Sequence, residues 1–539
     1  MMEIFKGTGV CAGIAFGKLY ILKRKDVTEK TIRAGEADEE VKRFESAKEI
    51  AEEQLAELFE NTKNQIGESE AEIIDIQRLM LEDDDFNESV ENMIRGDNYT
   101  AAYAVEETGK QLADVFNSLD DEYMKARAAD ILDLARRVSD ILEGNSRDFQ
   151  FTEPVIVVAE DLTPSETLQM DKNKIQAFVT QFGSESSHTV ILARILDIPC
   201  IIQADITLDS AHVGKEAAVD GAAGICYLEP DEKTLERLSS LKKENESKKT
   251  QLNEFRGMQS VTKDGRVIKL FSNIGSAEDL EAVLKHDSEG IGLFRSEFLF
   301  LGREGCPSED EQFEAYRQVA EGLDGKKVII RTMDIGADKQ VGYFGLDPEE
   351  NPALGLRGIR ICIDRPDLFS TQLRAIYRAS VFGNIAIMFP MIISVWEVER
   401  CKELAKQVRD ELVKEGIKIG DVQLGIMIET PASVMIADQL AKLVDFFSVG
   451  TNDLTQYTLA IDRQNSKLKP FYDAHHPAVI EMLRMIADAA KRNGIWAGIC
   501  GELAADLAMT EILIDMGYSE LSVSPASTLA LRKRICEIG

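Results

Sequence analysis

The stretch Phe446-Phe-Ser-Val-Gly-Thr-Asn-Asp-Leu-Thr-Gln-Tyr457 joins an apolar run to a polar junction and a segment of helical character. The run Phe446–Gly450 is typical of a buried β-strand. Asn452 and Asp453 follow at its carboxyl end, where a helix can begin. A strand followed by polar residues and then a helix is the repeating unit of α/β folds, and the pattern recurs through the second half of the chain.

Residues 261–539 contain eight short apolar runs, each followed by a segment with helical periodicity. Eight strands that alternate with helices over this length predict a (β/α)8 barrel, the TIM barrel. The predicted strands are Val267–Ile274, Ile291–Phe294, Val328–Ile330, Ile385–Met391, Leu424–Ile428, Phe446–Gly450, Trp496–Cys500 and Leu521–Val523.

Charged or reactive side chains stand at the carboxyl ends of five of these strands. In TIM barrels, chemistry takes place at that end of the strands. One such residue would carry little information, but their convergence predicts an active site. The residues are Arg295, Arg331, Glu429, Asn452 with Asp453, and Cys500 with Glu502.

The chemistry of these residues is coherent. Arginines suit a phosphate and a carboxylate, and Arg357 and Arg463 are further candidates nearby in sequence. Glu429 and Asp453 offer the oxygen ligands that a partly hydrated Mg²⁺ ion prefers. The thiol of Cys500 could protonate a carbanion, although most buried cysteines are only small apolar residues. Together these groups predict phosphoryl transfer from a small carboxylate ester.

A second candidate centre is the loop after a predicted strand, Ile175–Thr180. The loop is small and polar, contains a glycine, and delivers His188 just before the apolar run Val190–Leu196. A helix N-terminus attracts phosphate, and a neutral imidazole is nucleophilic near physiological pH. Read alone, the stretch favours a histidine that caps a helix. The barrel groups favour a phosphoryl acceptor instead.

Strand patterns on both sides of a helical segment predict a discontinuous α/β domain. It comprises residues 1–20 and 145–230 and carries His188. Residues 21–144 are predicted as an all-helical insert, because apolar residues recur there at helical spacing. The charged residues 231–260 are predicted as a linker helix. The stripe that marks the first helix of the insert is Val41, Phe44, Ala51, Leu55 and Leu58.

Charge narrows the classes of partner. The 539 residues include 95 acidic and 62 basic ones, a net charge of −33, which argues against nucleic acid and anionic membranes. Residues 21–144 hold 16 basic and 33 acidic residues, so a solvated acidic bundle and a docking surface for a basic protein are equally good interpretations.

No apolar run approaches the ~18–20 residues of a membrane span. Eight cysteines without a CxxC pair predict reduced thiols in a cytoplasmic protein.

Five barrel segments closely resemble enzyme I, the phosphoenolpyruvate–protein phosphotransferase family of the bacterial sugar phosphotransferase system. The likeness covers nearly the whole chain and includes Asp121-Glu-Tyr-Met-Lys-Ala-Arg-Ala-Ala-Asp130 in the insert. The barrel segments are Gly292-Leu-Phe-Arg-Ser-Glu-Phe-Leu-Phe300, Arg331-Thr-Met-Asp-Ile-Gly336, Gly425-Ile-Met-Ile-Glu-Thr-Pro431, Ser448-Val-Gly-Thr-Asn-Asp-Leu-Thr-Gln-Tyr457 and Gly498-Ile-Cys-Gly-Glu-Leu503.

The resemblance implies a specific role for each matching residue. His188 matches the histidine that accepts the phosphoryl group at Nε2. Cys500 matches the acid that protonates enolpyruvate at C3 to give pyruvate. The remaining matches are Arg295, Arg331, Arg463 and Asn452 as the residues that hold phosphoenolpyruvate, and Glu429 and Asp453 as the Mg²⁺ ligands.

The resemblance also implies partners and movement. The helical insert matches the docking site for HPr, the histidine-containing phosphocarrier protein, and the barrel matches the part that forms a homodimer. Donor site and docking site then lie on different domains, so the α/β phosphohistidine domain has to swivel between them.

Two positions depart from the family pattern. The family usually has an arginine three residues before the phosphorylated histidine, where this chain has Glu185. Gln77 stands where the family often has a histidine before Leu-Met-Leu.

Two alternative functions remain. A pyruvate phosphate dikinase or phosphoenolpyruvate synthase relative would share the histidine and the barrel, but it needs a nucleotide-binding domain, and residues 21–144 show no Gly-rich phosphate loop. A regulatory paralogue that no longer turns over is the other alternative. Retention of every barrel group argues against it.

Overall fold

The computed structural model describes most of the chain, and two compact units, Met1–Ser247 and Lys248–Gly539, divide it. The described residues are 2–22, 27, 30–32, 36–65, 68–118, 122–144, 151–171, 173–183, 187, 189–190, 193–194, 198–301, 303, 305–337, 341–463 and 465–539.

An eight-stranded mixed sheet forms one half of the first unit. Its strand order is β1-β8-β7-β3-β4-β5-β6-β2, with β3 to β6 parallel and the other pairs antiparallel. The central β4 is buried along its whole length, which explains its unbroken apolar sequence. The strands are β1 (Glu3–Lys6), β2 (Thr8–Cys11), β3 (Ile14–Leu22), β4 (Val155–Ala159), β5 (Ile175–Thr180), β6 (Cys200–Ile202), β7 (Glu216–Asp220) and β8 (Ile225–Leu228).

A short helix, Pro164–Gln169, follows β4. Thr163 caps it, since its hydroxyl accepts a hydrogen bond from Glu166 N, and Pro164 occupies the first helical position. The Thr-Pro sequence therefore marks the start of this helix.

Five helices form the other half of the first unit. All five apolar residues of the predicted first stripe are buried in one helical core. Helix α3 lies within the predicted helical insert, although no apolar stripe was assigned to it from the sequence; its Phe86, Val90 and Ile94 are buried at helical spacing. The helices are α1 (Ala37–Gln65), α2 (Glu68–Glu82), α3 (Asp84–Asp97), α4 (Ala101–Ser118) and α5 (Glu122–Leu142).

The segment predicted as a linker forms one helix, Glu232–Asn253. Its Leu238 is buried against Ala218 and Tyr227 of the sheet. The division between the two compact units falls within this helix, between Ser247 and Lys248.

The second unit is a closed barrel of eight parallel strands, which confirms the predicted TIM barrel. Each strand pairs with its neighbours in sequence order, and β16 closes the ring onto β9. All eight predicted strands are found. They are β9 (Lys269–Ile274), β10 (Gly290–Arg295), β11 (Lys327–Arg331), β12 (Asn384–Phe389), β13 (Gln423–Ile428), β14 (Phe446–Val449), β15 (Trp496–Ile499) and β16 (Glu520–Val523).

Helices pack around this barrel and seal its outer core. Inside the barrel, large apolar side chains such as Phe271, Met388 and Phe446 fill the lumen, as TIM barrels require. The described helices of the unit are Leu280–Lys285, Glu309–Gly322, Ile359–Asp364, Pro366–Ala379, Val395–Lys414, Pro431–Met435, Ala437–Leu440, Thr451–Leu459, Pro477–Asn493, Thr510–Met516 and Thr528–Glu537.

Among the described helices, none combines the length and the apolar character that crossing a bilayer requires.

Candidate functional site

A cavity of about 1100 Å³ opens at the carboxyl ends of the barrel strands. It brings together every barrel residue that the sequence singled out. These are Arg295, Arg331, Arg357, Glu429, Asn452, Asp453, Arg463, Cys500 and Glu502.

Arg331 ends β11 and lies buried in the floor of the cavity. Its guanidinium donates to Glu297 Oε1 and lies 3.1 Å from Asp334 Oδ2. Burial alone would lower the pKa of Arg331, but the charges of Glu297, Asp334 and Glu429 outweigh it and raise that pKa. Arg331 Nε is buried and has no hydrogen-bond partner among the described residues, so one donor remains for a ligand.

Arg357 shares Asp334 with Arg331. Its Nη2 lies 3.0 Å from Asp334 Oδ2 and 3.8 Å from Asp453 Oδ2, and its Nη1 donates to the Tyr457 hydroxyl at 3.2 Å. Burial lowers the pKa of Arg357, and the carboxylates of Asp334 and Asp453 more than reverse that effect. The cavity floor therefore holds two fully charged guanidinium groups in fixed positions.

Glu429 follows β13 and is completely buried. Its Oε1 accepts a hydrogen bond of 2.6 Å from Met391 N, and Met391 holds a left-handed φ of +57° that few residues adopt. Its Oε2 has no hydrogen-bond partner in the described part of the chain. Burial, followed by the charges of Asp453 and Asp334, raises the pKa of Glu429 to about 8.

Asp453 lies in the first turn of helix Thr451–Leu459 and also has a buried oxygen, Oδ1, without a hydrogen bond to any described residue. A Cβ atom on Gly450 would lie 2.5 Å from Glu429 Oε2, so this glycine keeps space open beside the free oxygen. Two buried carboxyl oxygens that accept no hydrogen bond from a described residue, and a carboxyl pKa raised by burial and by neighbouring acids, fit a hydrated divalent cation. The residues present therefore fit Mg²⁺.

Cys500 follows β15 and borders the cavity while its side chain is almost fully buried. Burial raises the pKa of the Cys500 thiol to about 12, although the Ser448 hydroxyl beside it acts in the opposite direction. At neutral pH the group is a thiol with a proton to give.

Asn452 and Glu502 form a pair on the rim of the cavity. Asn452 Nδ2 donates to Glu502 Oε1 at 3.1 Å, and Asn452 Oδ1 accepts from Glu502 N at 3.0 Å. The two bonds fix the orientation of the Asn452 amide and connect the helical turns that follow β14 and β15.

Arg295 and Arg463 are the exposed cations of the rim. Arg463 Nη2 lies 3.6 Å from Asp453 Oδ1, and its side chain is 38% exposed. No described residue forms an ion pair with Arg295. Unlike the floor arginines, these two are free to reorient toward an anion.

His188 and Glu185 lie outside the described residues. Of the predicted run Val190–Leu196, only residues 190, 193 and 194 are described, and Val190 and Ala193 are buried.

Three residues that shape the floor were not among the predicted site residues. Asp334 and Glu297 hold the buried arginines, and Tyr457 bonds Arg357. All three lie inside the motifs quoted above. Glu297 is two residues after Arg295, Asp334 is three residues after Arg331, and Tyr457 lies on the same helix as Asp453. The order Arg331-Thr-Met-Asp334 was a usable signal, because an acid beside a buried arginine is its natural partner.

Three known family descriptions match the chain in succession. They are "PEP-utilising enzyme, N-terminal" over residues 6–127, "PEP-utilising enzyme, mobile domain" over residues 151–224, and "PEP-utilising enzyme, PEP-binding domain" over residues 249–539.

Full-length relatives carry the name phosphoenolpyruvate-protein phosphotransferase. The protein of that name from Listeria monocytogenes is 39% identical over 99% of this chain and 94% of its own length. The one from Bacillus subtilis is 39% identical over 100% of this chain and 95% of its own length. A solution structure of an enzyme I protein is 36% identical over 45% of this chain and 99% of that chain, with a TM-score of 0.40.

Identity at this level extends across all three matched regions, from the helical segment to the last barrel helix. The chain belongs to the phosphoenolpyruvate–protein phosphotransferase family of PEP-utilising enzymes.

Proposed function

We propose that the protein transfers the phosphoryl group of phosphoenolpyruvate to His188 and from there to the phosphocarrier protein HPr, and that it releases pyruvate. This is the entry step of sugar uptake by a phosphotransferase system. The observation that carries the proposal is the floor of the barrel cavity, where one buried and one largely buried arginine converge beside a thiol with two acidic side chains, each of which has a buried oxygen without a hydrogen bond to a described residue.

In this proposal the arginines bind the substrate anions. Arg331 and Arg357 are already oriented by Asp334, so they lose little freedom when phosphoenolpyruvate binds. Arg295 and Arg463 close on the substrate from the rim, with Asn452 as an oriented amide. Charge-assisted hydrogen bonds of this kind also neutralise the phosphoryl group as it leaves.

Glu429 and Asp453 hold Mg²⁺ in this proposal. The ion supplies charge neutralisation at the phosphoryl and carboxylate oxygens when it is bound. Glu429 must lose its proton first, because burial keeps that carboxyl group protonated below a pH of about 8.

Cys500 provides the proton that turns enolpyruvate into pyruvate. Its S–H bond breaks as a C–H bond forms at C3, and the electron pair stays on sulfur. A pKa of about 12 keeps the thiol protonated until the strongly basic carbon of the enolate arises.

His188 is the proposed phosphoryl acceptor and the insert 21–144 the proposed docking site for HPr. Its excess of acidic residues suits a basic face on the partner. Gln77 does not belong to an exposed contact surface. It is fully buried between α2 and α5, where its Nε2 donates to Asp133 Oδ2 at 2.9 Å. We further propose the domain limits given above and a homodimer formed through the barrel.

The test is to incubate the pure protein with phosphoenolpyruvate labelled in its phosphate, with Mg²⁺ and without nucleotide. We expect one acid-labile label per chain and one pyruvate released per label. His188→Ala should take up none, whereas replacement of any of the other four histidines should leave labelling intact.

Three results would contradict the proposal. Label that persists in His188→Ala would remove that residue from the reaction. Labelling that requires nucleotide would favour the pyruvate phosphate dikinase alternative, and a protein that binds phosphoenolpyruvate without ever taking up label would favour the regulatory paralogue. Transfer of the label to purified HPr then tests the acceptor.

A further inference from the structure

Below the cavity the barrel encloses a carboxyl group that the proposed reaction does not use. Glu520 begins β16 and is 2% exposed, and neither of its carboxyl oxygens has a hydrogen-bond partner among the described residues. An unpaired carboxylate is very costly in such a place, and burial raises the pKa of Glu520 well above its ordinary value. Glu520 is therefore a neutral acid that holds a proton inside the barrel.

Two glycines make the space for this group. A methyl group on Gly498 would overlap Glu520 Oε2, and a Cβ atom on Gly292 would lie 2.6 Å from Glu520 Oε1. Gly498 is paired in register with Ser448 on one side and with Glu520 on the other. Because Gly498 has no side chain, the lumen stays open between the Ser448 hydroxyl and the Glu520 carboxyl group.

Cys500 stands directly above this opening. It follows Gly498 by two residues, so both face the lumen, and it also lines the cavity at the barrel mouth. The Cys500 thiol interacts with both groups beside the opening: a charge on Glu520 raises the pKa of Cys500, and the hydroxyl of Ser448 lowers it. Cys500 therefore separates the substrate cavity from the buried acid.

We propose that Glu520 is a positioning residue that returns a proton to Cys500 during turnover. The inference rests on the proposed function of Cys500. After the Cys500 S–H bond has protonated C3, the O–H bond of Glu520 breaks and the S–H bond forms again, directly or through one water molecule. The Glu520 carboxylate then recovers its proton from solvent.

The physical reason is the cost of a buried thiolate. Among the described residues, the charge of Arg331 stabilises a thiolate at Cys500, and a charge on Glu429 opposes it. Arg331 already has Glu297 and Asp334 as partners. A nearby neutral acid shortens the lifetime of the uncompensated charge on sulfur.

The test is Glu520→Gln, which keeps the shape of the side chain but has no acidic proton. Formation of the phosphoenzyme in the first turnover uses the proton already on Cys500, so its rate should stay within about 2-fold of the wild type. Net turnover, measured as steady-state release of pyruvate with HPr as the phosphoryl acceptor, consumes one proton in every cycle, and its rate should fall about 10- to 100-fold. Glu520→Asp retains an acid and should recover part of the net turnover rate.

Glu397→Gln is the matched control, because Glu397 is another buried carboxyl group of the barrel unit and caps helix Val395–Lys414. It should leave both rates unchanged. An infrared difference spectrum between the wild type and Glu520→Gln, recorded without substrate near neutral pH, should show the carbonyl stretch of a protonated carboxylic acid.

The outcomes separate the inference from the proposed function. Wild-type protein that takes up no label would overturn the proposed function. Wild-type labelling that slows in Cys500→Ala, together with equal rate changes in both assays for Glu520→Gln, would overturn only the inference. The absence of the carbonyl band would overturn it as well.

Discussion

The floor of the barrel cavity and its rim use arginine in opposite ways. On the floor, Arg331 is buried, Arg357 is largely buried, and the two share Asp334. On the rim, Arg295 and Arg463 are exposed, and the nearest carboxylate oxygen of Arg463 is 3.6 Å away. Buried charges are costly to desolvate and are fixed before a ligand arrives, whereas exposed ones reorient freely. The difference indicates that the floor positions the substrate and the rim adapts to it.

The largest effect is expected from Asp334→Asn, which leaves both floor arginines without their shared carboxylate. Removal of one partner from a buried ion pair costs about 3–5 kcal/mol of stability. We expect a correspondingly less stable barrel and no labelling by phosphoenolpyruvate. Both tryptophans, Trp396 and Trp496, lie in the barrel unit, so tryptophan fluorescence during urea unfolding reports on that unit.

Asp438→Asn is the control for this prediction, because Asp438 pairs with Arg492 on the exposed surface of the same unit. Exposed ion pairs contribute little to stability. If Asp334→Asn and Asp438→Asn unfold at the same urea concentration, the floor is not held by its buried ion pairs.

The next effect concerns the pH dependence of the floor. Burial raises the pKa of Glu429 from 4.5 to about 8, so the folded protein binds a proton in that interval that the unfolded chain does not. The stability of the metal-free barrel should therefore fall as pH rises through this window. Glu429→Gln should remove the Glu429 contribution to this fall and reduce labelling with Mg²⁺ by about 100-fold or more.

Unfolding curves at several pH values, with and without Mg²⁺, measure both the pH dependence of stability and the stabilisation by the ion. The ion should stabilise the wild type increasingly as pH approaches about 8, where its carboxyl ligand ionises. The account would be contradicted if Mg²⁺ stabilised the Gln variant as strongly as the wild type.

A smaller effect is expected on the rim. Arg295→Ala and Arg463→Ala each remove a charge-assisted hydrogen bond worth about 1.5–3 kcal/mol, which corresponds to a roughly 10- to 100-fold higher phosphoenolpyruvate concentration for half-maximal labelling. Their unfolding curves should match the wild type, because neither side chain is buried. A destabilised barrel in either variant would mean that the rim is built like the floor.

The smallest effect is expected for Asn452→Ala. This variant loses two neutral or singly charged contacts to Glu502 at the cavity edge. A loss of about 1 kcal/mol predicts a roughly fivefold increase in the half-saturating concentration of phosphoenolpyruvate. An effect larger than that of Arg463→Ala would place the main rim contact on the amide rather than on the arginines.

The same contrast explains what the sequence could predict. The barrel strands are short apolar runs whose carboxyl ends meet by topology, so Arg331, Glu429, Asp453 and Cys500 could be brought together without coordinates. The pairing of Asp334 with two arginines could not be predicted from the sequence, because it depends on side-chain directions across neighbouring strands. The burial of Glu520 could not be predicted from the sequence either. It depends on the space that Gly292 and Gly498 leave on neighbouring strands, where a side chain would meet the carboxyl group.

The first unit was harder to read. Helix α3 begins within a run of three aspartates, Asp83 to Asp85, and contains Gly96 near its end. These residues obscure the helical spacing of its three buried apolar side chains. Asp83 in fact caps the helix, as its carboxylate accepts a hydrogen bond of 3.1 Å from Phe86 N. Aspartate is a weak helix former inside a helix, so the role of Asp83 as the N-cap of α3 became clear only from the structure.

The most direct test of the account is the binding of phosphoenolpyruvate to His188→Ala, which cannot be phosphorylated at that residue. If the site is the barrel cavity, calorimetry should detect one phosphoenolpyruvate per chain with Mg²⁺ present. Binding should weaken strongly when Mg²⁺ is removed or when Glu429→Gln is added. Loss of binding in His188→Ala alone, or binding that ignores both Mg²⁺ and Glu429, would contradict the central claim that the barrel floor is the substrate site.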